Sequence, residues 1–152
     1  RIILKMNALQ DPAMIERLYE ASQAGVKIDL IVRGICCLIP GRKYSRNIRV
    51  TRIVDTFLEH ARVWYFGNGG KPKLFLGSPD WMRRNLYRRI EAVTPILDPD
   101  LKRELSDMLS IQLSDKRKAC FVDDHLRNRW KSARPQKEKI RSQYTFYEYL
   151  KG

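Results

Sequence analysis

The sequence predicts an α/β fold, a mixed β-sheet flanked by helices, and three observations carry that expectation. A β-branched apolar run from Ile2 to Met6 precedes a helical pattern and then a second apolar run from Lys27 to Arg33. That order belongs to a parallel strand-helix-strand unit. Asn68-Gly69-Gly70 separates two short apolar runs, the signature of a hairpin or tight loop. Asp-Pro occurs at 11–12 and again at 98–99, each time ahead of helical periodicity, as an N-cap followed by proline in the first turn.

Each element follows in order. Ile2 to Met6 is a buried strand, and Asp11-Pro12 opens a helix whose Ile15, Leu18, Tyr19 and Ser22 recur at helical spacing until Gly25 stops it. Lys27 to Arg33 is the second strand. Gly34 to Asn47, with Pro40, Gly41, Ser45 and several basic residues, reads as a loop. Thr51 is placed to cap a short helix that buries Ile53, Val54, Phe57 and Leu58 and delivers His60 at its end. Val63 to Phe66 and Leu74 to Leu76 form the hairpin around the glycines, and Leu86 to Val93 alternates arginines with apolar residues as a further strand. After Asp98-Pro99, Leu101, Leu105, Met108, Leu109 and Leu113 stripe one face of a helix. The remainder is basic, from Arg127 to Arg141, and ends in an aromatic helix from Tyr144 to Leu150. With 152 residues, 43% of them hydrophobic, the chain can bury one core, so residues 1–152 are expected to form a single domain, with about 126–143 as a basic, mobile segment.

A formal net charge of +13 directs attention to polyanions: nucleic acid, an anionic membrane face, or an acidic substrate. Cys36, Cys37 and Cys120 are unevenly spaced, which argues against both a disulfide framework and a zinc site and points to the cytoplasm. Peripheral association with a membrane stays open. No stretch approaches the roughly 20 apolar residues of a membrane span. The chain starts inside an apolar run without an initiator Met and reads as part of something longer.

The chemistry concentrates in FLEHARVWYFGNGG and the following GSPDWMRRN. Histidine can move a proton near neutral pH or attack phosphorus, and arginine grips phosphate oxygens through a planar fork that keeps its charge. His60 among Arg62, Arg84, Arg88 and Arg89 offers positioning and positive charge, the two needs of phosphoryl transfer.

The spacing His60-Ala61-Arg62, then Gly77-Ser78 and Asn85, resembles the phospholipase D type of site. Arginine stands where that pattern has lysine, and its acidic residue is not in the usual place. Four segments, RIILKMNALQDP, YEASQAGVKIDLIVRGICCLIPG, NIRVTRIVDTFLEHARVWYFGNGG and GSPDWMRRNLYRRIEAVTPILDP, closely resemble the C-terminal region of bacterial polyphosphate kinases of the ATP-dependent, histidine-phosphorylated type.

The resemblance implies a phospholipase D-like domain, the second of two halves that enclose one active site. It implies that Arg33 and Arg89 contact the phosphates of ATP, and that His60 is a catalytic histidine at the ATP site which is not itself phosphorylated. Lys5, Asn7, Arg62, Ser78, Asn85 and Arg88 are supporting candidates. The phosphorylated histidine and most magnesium ligands would lie in the preceding half, so this chain would hold no metal site of its own and would be inactive alone. ATP or ADP, inorganic polyphosphate, the preceding domains and a second copy of the chain are the implied partners. Arg42, Lys43, Arg46 and Arg49, with the run from Arg127 to Arg141, are candidates for the polymer's path. Two readings compete: a nucleic-acid-binding or nuclease module with Trp64, Trp81 and Trp130 as stacking platforms, and an assembly domain built on Tyr144, Phe146, Tyr147 and Tyr149.

Overall fold

Eight strands form one mixed sheet. The structure, a computed structural model, describes residues 1–131 and 140–152. The centre is parallel: β1 (Ile2–Met6) pairs with β2 (Ile28–Val32), and β2 with β3 (Ile48–Ile53), in the registers Leu4↔Leu30 and Leu30↔Val50. β4 (Val63–Phe66) runs antiparallel to β1, and β5 (Lys73–Gly77) and β6 (Val93–Ile96) continue that wing. On the other side β7 (Ala119–Val122) joins β3, followed by β8 (Asn128–Trp130).

Both Asp-Pro signals cap helices. Asp11 accepts from Met14 N at 3.1 Å at the start of α1 (Pro12–Gln23), and Asp98 accepts from Asp100 N and Leu101 N at 2.8 and 2.9 Å before α3 (Pro99–Ser114). Such caps satisfy amides that have no partner within the helix. α1 buries Ile15 and Leu18 against Leu4, Leu30 and Val50 on one face of the sheet. α3 buries Met108 and Leu109 against Ile3, Ile31, Ile53 and Val63 on the other, where Phe146 of α4 (Ser142–Lys151) joins them. A mixed sheet flanked by helices, as expected, is thus the observed fold. No helix among the described residues is long and apolar enough to cross a membrane.

Three expectations fail. Thr51 opens no helix: it is fully buried in β3 beside Ile31, and residues 54–62 form an extended loop on which Val54, Phe57 and Leu58 are exposed. The β-branched residues Ile48, Val50, Thr51 and Ile53 fit a pleated, buried strand, and that preference overrides the helical spacing of 53, 54, 57 and 58. The strand expected over Leu86 to Val93 is instead the short helix α2 (Arg83–Arg88) followed by a bend into β6. Only Asn85 of α2 is buried, and the arginines form its wet side. Finally, Arg127 and Arg129 do not belong to a loose basic segment. They flank the turn into β8 and both bind Asp123, at 3.2 and 2.9 Å, while Asp123 also accepts from the amides of His125 and Arg127. Arg134, Lys137 and Lys139 lie outside the described residues.

Candidate functional site

Strand directions decide which residues meet. β4 is antiparallel to β1, and β5 is antiparallel to β4, so the ends of β1, β2 and β5 and the beginning of β4 share one edge of the sheet. Along that edge stand Lys5 and Asn7 from β1, Arg33 after β2, His60 and Arg62 before β4, and Ser78 and Asp80 after β5. Gly34 lets the chain pass close to β1: its amide donates to Asn7 O at 2.8 Å, and a Cβ there would stand 3.0 Å from that same oxygen.

Asp80 is the hub. Its Oδ1 accepts from Asn7 N at 2.8 Å, Ala8 N at 3.2 Å and Arg62 Nε at 3.2 Å, and its Oδ2 accepts from Arg62 Nη2 at 3.0 Å. Burial pushes the Asp80 carboxyl up, but Arg62 and the two amides outweigh it and hold the group below the ordinary carboxylate range. Arg62, fixed by this fork, lays Nη1 3.1 Å from His60 Nδ1 and donates to His60 O at 3.0 Å. Arg62 Nη2 also approaches His60 Nε2, at 3.4 Å, so the guanidinium, which can only donate, lies along the ring and meets both of its nitrogens. His60 itself is exposed. The acidic partner missing from its usual place in the sequence is therefore Asp80, 18 residues beyond Arg62.

Around this hub, Arg33 is half-buried and donates Nε to Asn7 Oδ1 at 3.0 Å. Asn7 keeps its buried Nδ2 without a partner among the described residues. Glu91 accepts from Ser78 Oγ, and from Asn85 Nδ2 at 2.6 Å, and these two bonds hold its carboxyl below the usual range, assisted by the charges of Arg89 and Arg62. Arg89 thus reaches the site electrostatically while standing exposed at the end of α2. Arg84 and Arg88 are exposed and make no described hydrogen bond to the other candidates, so of the four arginines expected around His60 only Arg62 touches it.

Lys5 does not face the edge freely. It is buried and binds Glu59 at 2.5 Å; burial lowers the ammonium below the ordinary lysine value despite that carboxylate. Glu59 also accepts from Gln112 of α3 and, at 3.0 Å, from Gln143 Nε2 of α4. Gln143 holds the backbone of Phe57 on both sides, accepting from its N at 2.8 Å and donating to its O at 2.7 Å. Arg141 grips Asp55 at 2.8 and 2.6 Å. The loop bearing His60 is therefore braced by the first turn of α4, a helix the sequence offered only as an aromatic assembly surface.

Gln143→Leu should remove three hydrogen bonds from this loop and lower stability by about 2–3 kcal/mol at about 1 kcal/mol each. Urea unfolding checks this, and an unchanged midpoint would contradict the brace.

No three His, Cys, Asp or Glu side chains gather to hold a metal ion among the described residues. Asp80, Glu59 and Glu91 are each engaged by the chain's own donors, so the site does not fit a magnesium cage. Of the proposed stacking platforms, Trp64 and Trp81 lie in the core and only Trp130 is exposed. The sequence reading missed Asp80, Glu59, Glu91 and Gln143; GSPDW, an acid inside a turn that follows a strand, was the one local hint.

The profile of the family described as Polyphosphate kinase C-terminal domain 2 matches residues 1–143. The polyphosphate kinase of Escherichia coli K12 is 48% identical over 152 residues, covering 99% of this chain and 22% of that protein. Among solved structures, the polyphosphate kinase of Porphyromonas gingivalis superposes with a TM-score of 0.95 at 58% identity, covering 99% of this chain and 23% of the other. Nuc from Salmonella typhimurium, a phospholipase D family member, superposes with a TM-score of 0.57 at 17% identity over 74% of this chain and 76% of its own, a likeness of fold alone. The chain spans less than a quarter of the two polyphosphate kinases it matches.

Proposed function

This chain belongs to the polyphosphate kinase family, as its C-terminal domain, and from that premise we propose that it supplies one wall of a site that moves the γ-phosphoryl group of ATP to inorganic polyphosphate, reversibly. In this reading a histidine of the preceding polypeptide attacks the γ-phosphorus and ADP leaves. The terminal oxygen of polyphosphate then attacks that phosphorus, breaks the N–P bond and lengthens the polymer by one unit. Arg33 and Arg89 hold triphosphate oxygens as charge spreads over them. His60 donates a hydrogen bond to a phosphate or a proton to the leaving oxygen, oriented by the Arg62–Asp80 fork. Magnesium would arrive with the ATP phosphates and find its protein ligands outside this chain; no step assigned to these residues depends on it.

The observation that carries the proposal is the convergence of Arg33, His60 and Arg62 on one sheet edge, with Asp80 neutralising only Arg62. Alone, without the nucleophile, the chain is expected to make no polymer. In the complete enzyme, Arg33→Ala should raise KM for ATP by about 10- to 100-fold, the value of one charge-assisted hydrogen bond of roughly 1.5–3 kcal/mol. Steady-state kinetics at varied ATP tests this, and an unchanged KM and kcat would remove Arg33 from the phosphate site.

A further inference from the structure

At the edge of the sheet opposite His60, where β1, β2 and β3 begin, Arg1, Lys27, Asp29, Arg46, Asn47 and Arg49 border an open cavity of about 590 Å³. Asp29 is its only carboxylate and is taken by Arg1, at 2.8 Å. Lys27, Arg46 and Arg49 are exposed and have no ion-pair partner among the described residues. Elsewhere the chain neutralises clustered cations: Asp123 serves Arg127 and Arg129, and Asp55 serves Arg141 and Lys118. Like charges held together repel, and the repulsion falls when an anion lies between them.

These cations are placed by the sheet. Arg49 is in register with Asp29, and its guanidinium lies 5.3 Å above the Phe121 ring, on which Lys131 Nζ also rests at 4.8 Å. The segment carrying Arg46 is pinned by Asn47, which donates Nδ2 to Ser22 O at 2.7 Å and offers its carbonyl to Ile28 N at 2.9 Å. Arg42, by contrast, turns away toward Asp124, 3.7 Å distant.

We propose that this cavity is a second, non-catalytic binding site for the polyphosphate chain. Five-residue strands put it roughly 17 Å from the His60 edge at about 3.3 Å per residue. A triphosphate held at the first edge cannot span that distance, whereas a long linear polyanion occupies both. Arg49 and Lys131 both rest on the Phe121 ring, so that ring already has cationic partners. The site rests on the function proposed above and extends it from phosphoryl transfer to retention of the polymer between transfers.

The test is the complete enzyme carrying Lys27→Gln, Arg46→Gln and Arg49→Gln together. Affinity for polyphosphate of about a hundred units should fall at least tenfold, and the slope of log K against log salt should flatten by about 2, at roughly 0.7 per lost contact. Affinity for tripolyphosphate and KM for ATP should not change, and released polymers should be shorter. Unchanged long-chain affinity and slope, in an enzyme that still makes polymer, would overturn this site and leave the function standing. An equal loss of affinity for single-stranded DNA of the same phosphate count would overturn the assignment to polyphosphate. Lys27→Gln and Arg46→Gln singly give smaller shifts of the same sign and guard against a folding defect in the triple variant. Failure of the underlying function would look different: wild-type enzyme that binds no polyphosphate of any length.

Discussion

His60→Ala in the complete enzyme is expected to lower polymer synthesis by about 10²- to 10⁴-fold, the range for removing a positioned acid or base, while leaving the fold intact. The two halves of that expectation come from one geometry. The ring is exposed, and its described contacts are with Arg62 alone. Arg62 keeps both bonds to Asp80 when the ring is gone. No cavity opens and no buried group loses its partner, so stability should stay within about 0.5 kcal/mol of wild type. A histidine closing a buried helix, as the sequence pattern around Phe57 and Leu58 invites, would give the opposite result: a weakened domain with activity lost in proportion. Thermal unfolding beside steady-state rates separates the two. His60→Gln refines the role, because glutamine can donate a hydrogen bond to phosphate but cannot deliver a proton. Recovery of most activity would make His60 a ligand, and no recovery would assign it the proton transfer.

What the sequence made legible were short-range rules. The strand from Ile2 to Met6, the two Asp-Pro caps, the Gly25 stop and the hairpin around Asn68-Gly69-Gly70 depend on residues within a few positions of each other, and all are present. The run from Thr51 to Leu58 satisfies two periods at once, and burial between β2 and β7 chose the strand. β7 and β8 are four- and three-residue strands in a charged stretch, too short for either period to register. The site divides in the same way. His60, Arg62, Gly77 and Ser78 stand in recognisable local order, whereas Asp80 joins Asn7 across 73 residues and Gln143 joins Phe57 across 86. Such partners are chosen by strand order, which a single sequence does not spell out.

The largest structural effect should come from that long-range hub. Asp80→Ala strips two backbone amides of their acceptor and leaves the Arg62 guanidinium, 13% exposed, without its counter-charge. Breaking one side of a buried pair commonly lowers stability by about 3–5 kcal/mol because an uncompensated charge stays behind. The same reasoning makes the double variant informative. Arg62→Met with Asp80→Ala removes the stranded charge and should be more stable than Asp80→Ala alone, although still weaker than wild type because the two amides remain unpaired. Equal stability of the single and double variants would show that the amides, not the ion pair, carry the hub. The pH dependence has a fixed sign. The Asp80 carboxyl lies below its unfolded value, so its contribution is complete above the ordinary carboxylate range and is lost as pH falls through the lowered one. Asp80→Asn cannot titrate, so the stability gap between it and wild type should narrow as the solution is acidified, and urea midpoints across that range measure it. Activity should fall with either Asp80 variant even where the domain remains folded, because Arg62 then no longer holds His60 in place. A folded Asp80→Asn enzyme with wild-type turnover would separate the hub from catalysis altogether.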